Sequence, residues 1–374
     1  MFHAISGTAV GTVRRLTGVV SASGGPPDPK GAMEAIPEHN GHSRTAPHGR
    51  LSPAPRPRPI TPRERVSLTV DEVAALGDRL RAGILGAVRM PAEVLEIVLA
   101  TVLAGGHLLV EDYPGVGKTQ LARSLARTLD GRFTRVQATV DLLPADIVGA
   151  NVWRADLGEF EFRPGPVFAN VVLVDEINRA TPKTQSGLLE AMEERQVTVD
   201  GESRPLPSPM VVIATQNPAA GYDGTYPLPP AQLDRFLSLI SLGYPSAEQE
   251  MELLRAGPEP AAEAVTDPER LLAAQECVAA VHAADPLLRY IVDLLTATRE
   301  HPLAEVGASP RAGLLLLAAA RARAALNGRS FVLPDDVQAL AVPVLAHRLQ
   351  RTAAAPATAA LEIVEDAVRR VRAR

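Results

Sequence analysis

From Ser67 onward the chain alternates between two hydrophobic rhythms. Short apolar runs, "HLLVEDY" at 107–113, "FTRVQAT" at 133–139, "NVVLVDE" at 170–176 and "MVVIATQN" at 210–217, read as strands. The last two lack alternation, as strands buried on both faces of a parallel sheet do, and each ends in polar residues. Between them lie stretches of helical period. Thr69 and Glu72 form a capping box that opens a helix toward Leu85. Pro91 starts a second helix through Ala104, stopped by Gly105 and Gly106. A third runs from Lys118 to Leu129 and stops at Gly131.

After about Tyr244 the strands stop, and helical patterns follow near 247–256, 268–284, 286–300, 310–326, 335–349 and 359–374. The fold class expected is α/β: a domain over 66–245 with a parallel sheet and helices on both faces, then a small all-helical domain over 246–374. In such a sheet the ligand lies beyond the carboxyl ends of the strands, so the polar strand tips face one crevice. Two hairpins interrupt the pattern. One lies at about 147–170, with Phe160 and Phe162 on one face and Gly158 near its turn; the other, "QVTVDGESRPL", turns at Asp200-Gly201. Residues 1–65 differ: ten prolines and eight glycines without periodicity predict a disordered tail.

Composition narrows the classes. With 374 residues, 46% hydrophobic and 22% charged, the chain is long enough for two packed domains. A net charge of −5 argues against coating nucleic acid or an anionic membrane. Cys277 is the single cysteine, so no intrachain disulfide can form. The longest apolar runs end at His107 and Arg321, short of the ~18 residues a membrane-spanning helix needs. Arg14 and Arg15 break up any secretory signal, so the cytoplasm is the expected location. His39, His42 and His48 have no cysteine framework and read as solvated tail residues rather than a metal cluster.

The chemistry concentrates at the strand ends. "EDYPGVGKTQ" follows the first strand and opens the third helix, the context a phosphate-gripping loop requires. Backbone N–H groups along Pro114, Gly115, Val116, Gly117, Lys118, Thr119 and Gln120 can surround a polyphosphate at the helix's positive end. Lys118 would reach the β- and γ-phosphates and the Thr119 hydroxyl would ligate Mg²⁺. The first glycine of the usual pattern is Asp112 here, a residue tolerant of left-handed geometry whose carboxylate is expected to point away from the phosphates. Asp175 and Glu176 end a buried strand; the first would hold the Mg²⁺ hydration shell and the second would orient the attacking water. Asn217 offers an amide to that water or to the γ-phosphate. Arg235, in "PPAQLDRFL", follows the strand "MVVIATQN". Arg311 is the second residue of a helix with Ser309 as N-cap and Pro310 as first residue, where the dipole disfavours a cation unless an anion is near.

Taken together, "AGGHLLVEDYPGVGKTQLARSLA", "GPVFANVVLVDEINRATPKTQSGLLEAMEERQVTVDG", "VIATQNP", "LPPAQLDRFL" and "GASPRAGLLLLAAARARA" resemble the MoxR family of AAA+ ATPases over about residues 66–350. The resemblance implies an AAA+ P-loop core with a lid and an ATP-hydrolysing activity with Mg²⁺. It places Walker A at Gly115, Gly117, Lys118 and Thr119, and Walker B at Asp175 and Glu176. It also implies sensor 1 at Asn217, an arginine finger at Arg235 and sensor 2 at Arg311. A finger acts on a neighbour's nucleotide, so a homo-oligomeric ring, usually a hexamer, is implied. So is a protein client, typically one carrying a von Willebrand factor A domain. The sequence departs from the family at "GAVRMPAEV", where a Gly-Gln pair near the adenine is usual. The first hairpin resembles the insert lining the ring's pore side.

Three functions follow from these residues. The first is an ATP-driven, chaperone-like remodeller whose hairpins move with nucleotide state and push on the client. The second is a nucleic-acid translocase, opposed by the net charge and by the absence of any helix-turn-helix, zinc or OB-like segment; Arg154, Arg163 and Arg204 on the hairpins are too few to decide. The third is a non-hydrolysing, ATP-dependent assembly switch, which would need neither Glu176 nor Arg235. The first accounts for the most residues.

Overall fold

Thr69 accepts the Glu72 N–H while the Glu72 carboxylate takes the Thr69 N–H, and this reciprocal pair starts α1 (Val70–Leu85). In the computed structural model, residues 66–113, 115–217, 225–244, 247–257 and 261–373 are described. The expected disordered tail, its three histidines and Pro114 lie outside the described residues. After α1 come α2 (Ala92–Leu103), β1 (Leu108–Glu111), α3 (Lys118–Thr128), β2 (Phe133–Gln137) and α4 (Pro144–Val148). A hairpin follows, β3 (Gly149–Arg154) with β4 (Glu159–Pro164), then β5 (Val171–Asp175) and α5 (Pro182–Glu194). The second hairpin, β6 (Gln196–Val199) with β7 (Glu202–Pro205), leads to β8 (Val211–Gln216), α6 (Pro230–Leu233) and β9 (Ser238–Ile240).

Five strands form one parallel sheet in the order β2-β5-β8-β1-β9. Its strands are apolar on both sides because both sides are covered. Leu108, Val110, Leu173 and Ile213 join one hydrophobic cluster with Leu99 and Leu121; the alternate positions Leu109, Val172, Val174 and Val212 join another with Leu188 and Met192 of α5. From β1 the chain crosses by α3 to β2 at the far edge, leaving β8 and β5 between. That reversal opens a crevice at the carboxyl ends of β1, β8 and β5, where the loop, Asp175 and Asn217 all lie. The three-residue β9 is too short to show a period, and the sequence pattern did not reveal it.

The remaining elements are α7 (Ala247–Ala256), α8 (Pro268–Ala279), α9 (Asp285–Arg299), β10 (Ala304–Val306), α10 (Pro310–Leu326), α11 (Pro334–Leu345), β11 (Gln350–Arg351) and α12 (Ala359–Arg370). This segment is not all-helical, as the sequence had suggested. β10 pairs antiparallel with β11, and His282 bridges Phe331; pairings of two or three residues carry no readable rhythm. The alanine-rich α10 lies close against α1, where a Cβ on Gly77 would overlap Leu326. The cluster on the α3 side of the sheet therefore runs on through α1 and α2 into α8, α10 and α11. Asp336, fully buried, ties α10 to α11 by accepting from Arg323 and Arg329, each bond 2.6–2.7 Å long.

Candidate active site

The loop after β1 owes its shape to two glycines. Gly115 and Gly117 have φ of +90° and +96°, and a Cβ on either would meet nothing within 4 Å. Backbone conformation, not crowding, therefore excludes other residues here. Gly117 caps α3, and Leu121 N–H bonds to its carbonyl, which turns the first N–H groups of α3 toward the crevice. Val116 is buried and anchors the loop in the core. Gln120 lines the crevice while its amide donates to the Ala87 carbonyl, in the segment that departs from the family pattern.

Asp112 stands where the first glycine was expected; it lines the crevice, and its carboxylate is held by the segment beyond β9. It is buried and accepts from the Ser241 hydroxyl and the Leu242 N–H, beyond the end of β9. Lys118 Nζ donates to the Asp112 and Tyr113 carbonyls at 2.9 and 2.7 Å, so the ammonium lies folded across its own loop. Burial pulls its pKa below the usual lysine value, opposed by the charges of Asp112, Asp175 and Glu176.

A cavity of about 420 Å³ is lined by Gly115, Gly117, Lys118, Thr119 and Gln120 from the loop, Asp175 and Glu176 from β5, and Asn217 beyond β8. The structure thus brings these sequence-selected residues together. Asp175 is buried, with Oδ2 2.6 Å from Arg135 Nε and Oδ1 accepting from the Thr215 hydroxyl. Glu176 has φ +56°, a left-handed conformation that costs a non-glycine residue about 1–3 kcal/mol. Its N–H is held by the Thr215 hydroxyl at 2.9 Å, and its Oε2 lies 2.8 Å from Arg179 Nε and 3.2 Å from Gln137 Nε2. Thr215 therefore grips both acids at once. The Thr119 hydroxyl and the Asp175 carboxylate line the same cavity and are hard oxygen donors, a set that fits Mg²⁺.

Arg235 and Arg311 do not line this cavity. Both bind Glu193 near the end of α5: Arg235 Nε reaches Oε2 at 2.8 Å and Arg311 Nη1 reaches Oε1 at 2.7 Å. Arg311 also approaches Asp234 at 3.4 Å, and Asp234 accepts from the buried Arg348 at 2.8 Å. Ser309 caps α10 as read from the sequence, and the anions that tolerate a cation in its first turn are Glu193 and Asp234. A smaller cavity of about 180 Å³ is lined by Arg195, Arg235, Arg311 and Glu193.

Sequence reasoning missed Arg135, Gln137, Thr215 and Glu193. Arg135 and Gln137 had a signal, being alternate polar positions of a strand that pairs with β5 in register with Asp175. Glu193 had none: "LEAMEER" looks like any solvated helix end.

The hairpins form at the expected places. Gly158 (φ +68°) turns the first, and Asp200 and Gly201 (φ +51° and +84°) turn the second. Trp153 and Phe160 pair edge to face at 5.1 Å and are exposed, with Leu157 exposed at the tip. Phe162 instead packs on Phe168 and under Arg204, whose guanidinium lies 4.1 Å from the ring. That contact and the Asn151–Asp200 hydrogen bond tie the two hairpins together.

The family model for the ATPase family associated with various cellular activities (AAA) matches residues 107–238, and the AAA lid domain model matches 296–367. The chain is 48% identical to the uncharacterized protein YeaC of Bacillus subtilis over 261 residues, covering 69% of this chain and 81% of that protein. It is 44% identical to the chaperone MoxR1 of Mycobacterium tuberculosis over 271 residues, covering 70% and 72%. A crystal structure of a Cytophaga hutchinsonii protein superposes with a TM-score of 0.76 at 35% identity, covering 82% of this chain and 97% of that one.

Proposed function

The chain belongs to the MoxR family of AAA+ ATPases, and we propose that it hydrolyses ATP and uses the cycle to remodel a protein client. The observation that carries this reading is the meeting of Lys118, Thr119, Asp175, Glu176 and Asn217 in one cavity. Lys118 leaves its two carbonyl partners for the β- and γ-phosphates, which offer it full negative charge. Thr119 and Asp175 would hold Mg²⁺, which neutralises phosphate charge when bound. Glu176 orients the attacking water and accepts its proton, and Asn217 steadies that water or the γ-phosphate.

Arg235 and Arg311 lie outside the cavity, so both are assigned to the nucleotide of an adjacent copy. This assigns Arg311 to the neighbour's site together with the finger, and it requires a ring; a hexamer is the arrangement proposed. The exposed Trp153, Phe160 and Leu157 supply an apolar tip for a client, and the ties between the hairpins let both move together. A client with a von Willebrand factor A domain is carried over from the family. No helix among the described residues is long and apolar enough to cross a membrane, and the cytoplasm is the proposed location.

The test is turnover per subunit against protein concentration for the wild type and for Glu176→Gln. Turnover that rises with concentration and is lost in the variant, with nucleotide binding retained, is the result expected. Binding without turnover at any concentration, in the wild type and without a client, would favour the assembly switch.

A further inference from the structure

Glu193 has no role in the proposed chemistry, yet it holds both arginines on which that chemistry depends. Each carboxylate oxygen takes one guanidinium, so the pair is bridged rather than merely neutralised. The carboxylate sits in the last turn of α5, where the helix dipole disfavours negative charge, and the arginines offset that cost. Its two strongest partners, first Arg311 and then Arg235, keep its pKa below the usual glutamate value, so its charge persists at neutral pH. A second acid continues the network: Asp234 links Arg311 to Arg348, which is buried beside α11 and bonded to the carbonyls of Leu237 and Phe236. The cluster holds three arginines against two carboxylates, and of its members Arg235, Arg311 and Glu193 line the small cavity, with Arg195 beside them.

We propose that Glu193 is a positioning residue, a clasp that holds Arg235 and Arg311 side by side and yields them to the terminal phosphate of an adjacent copy's nucleotide. The proposal rests on the assignment of both arginines to a neighbour. A single carboxylate charge is a weaker partner for two guanidiniums than a terminal phosphate with about two charges, so the exchange runs toward the phosphate once the copies meet. Before they meet, the clasp prevents two like charges from splaying apart. It also sets a threshold, because its two ion pairs must be broken for the arginines to engage.

Removing the charge separates these two effects. Glu193→Gln is expected to assemble at about fivefold lower protein concentration in the presence of a non-hydrolysable ATP analogue, the size set by two part-exposed ion pairs. Maximal turnover per subunit is expected to fall, since the arginines are no longer aligned. Glu193→Asp, shorter by one methylene but still charged, should assemble as the wild type does while losing turnover. Assembly of Glu193→Gln at the wild-type or a higher concentration overturns the clasp. Should Glu193→Gln not fold, wild-type turnover in Glu193→Asp overturns it instead. Arg235→Ala and Arg311→Ala serve as the control. If both retain wild-type assembly and turnover, the assignment to a neighbour fails; if they lose them and Glu193→Gln shows no opposite shift in assembly, the clasp alone fails.

Discussion

The carboxylate of Asp112 accepts the backbone N–H of Leu242, just beyond the end of β9. The substitution that breaks the usual glycine pattern is thus a brace between β1 and the segment leaving β9. Asp112→Ala leaves that buried N–H and the Ser241 hydroxyl without an acceptor and is expected to cost about 1–3 kcal/mol of stability. Nucleotide affinity should not weaken, because the lost charge repels phosphate. Denaturant melts and titration with a fluorescent ATP analogue read the two effects separately.

Thr215 joins the two acids of β5 by donating to Asp175 and accepting from Glu176 N–H. Thr215→Val keeps the shape and removes both bonds. Turnover is expected to fall by about tenfold, the usual effect of losing a group that orients metal-binding and catalytic side chains. Affinity for nucleotide without Mg²⁺ should be unchanged. A Mg²⁺ titration at saturating nucleotide is the measurement, and a rightward shift is the expected result.

The strand pattern and the loop were legible because both obey local rules. Apolar runs predicted four of the five sheet strands, and the φ requirement of Gly115 and Gly117 was inherent in their residue type. The partners that hold the Asp112 carboxylate, at 241 and 242, could not be named from spacing. What stayed hidden was tertiary. β9 is too short, β10 and β11 shorter still, and Glu193 acquires meaning only when α5 and α10 bring Arg235 and Arg311 to it. That Arg311 lies outside the cavity could not be read from spacing, because it depends on how α10 packs against α1 and α2.

His107, at the entry to β1, is buried and neutral: its Nδ1 accepts the Val212 N–H, and burial, aided by the charge of Arg195, lowers its pKa to about 3. Unfolding restores an ordinary value near 6.5, so the unfolded chain binds a proton first. Stability is therefore complete above about pH 6.5 and is lost as pH falls toward 3, by about 1.4 kcal/mol per unit from this group. His347, buried beside Arg348, acts in the same direction. His107→Asn, whose Oδ1 can take the Val212 N–H, is expected to flatten the slope of unfolding free energy between pH 6.5 and 4.5. An unchanged slope would show that His107 is not the group responsible.

The assignment of Arg235 and Arg311 to a neighbour makes a quantitative claim about mixed rings. A subunit with Glu176→Gln cannot use its own nucleotide but still offers its arginines to the next copy. A subunit with Arg235→Ala has an intact cavity but offers no finger. Each is expected to be inactive alone. Mixed in equal amounts under conditions that allow exchange, the interfaces that pair an intact cavity with an intact finger make up about one quarter of the total in a head-to-tail ring. Turnover should recover to about that fraction of wild type, and Arg311→Ala should complement Glu176→Gln in the same way. If Arg235 or Arg311 instead served its own subunit's nucleotide, every subunit in the corresponding mixture would carry a defective site and no activity would return.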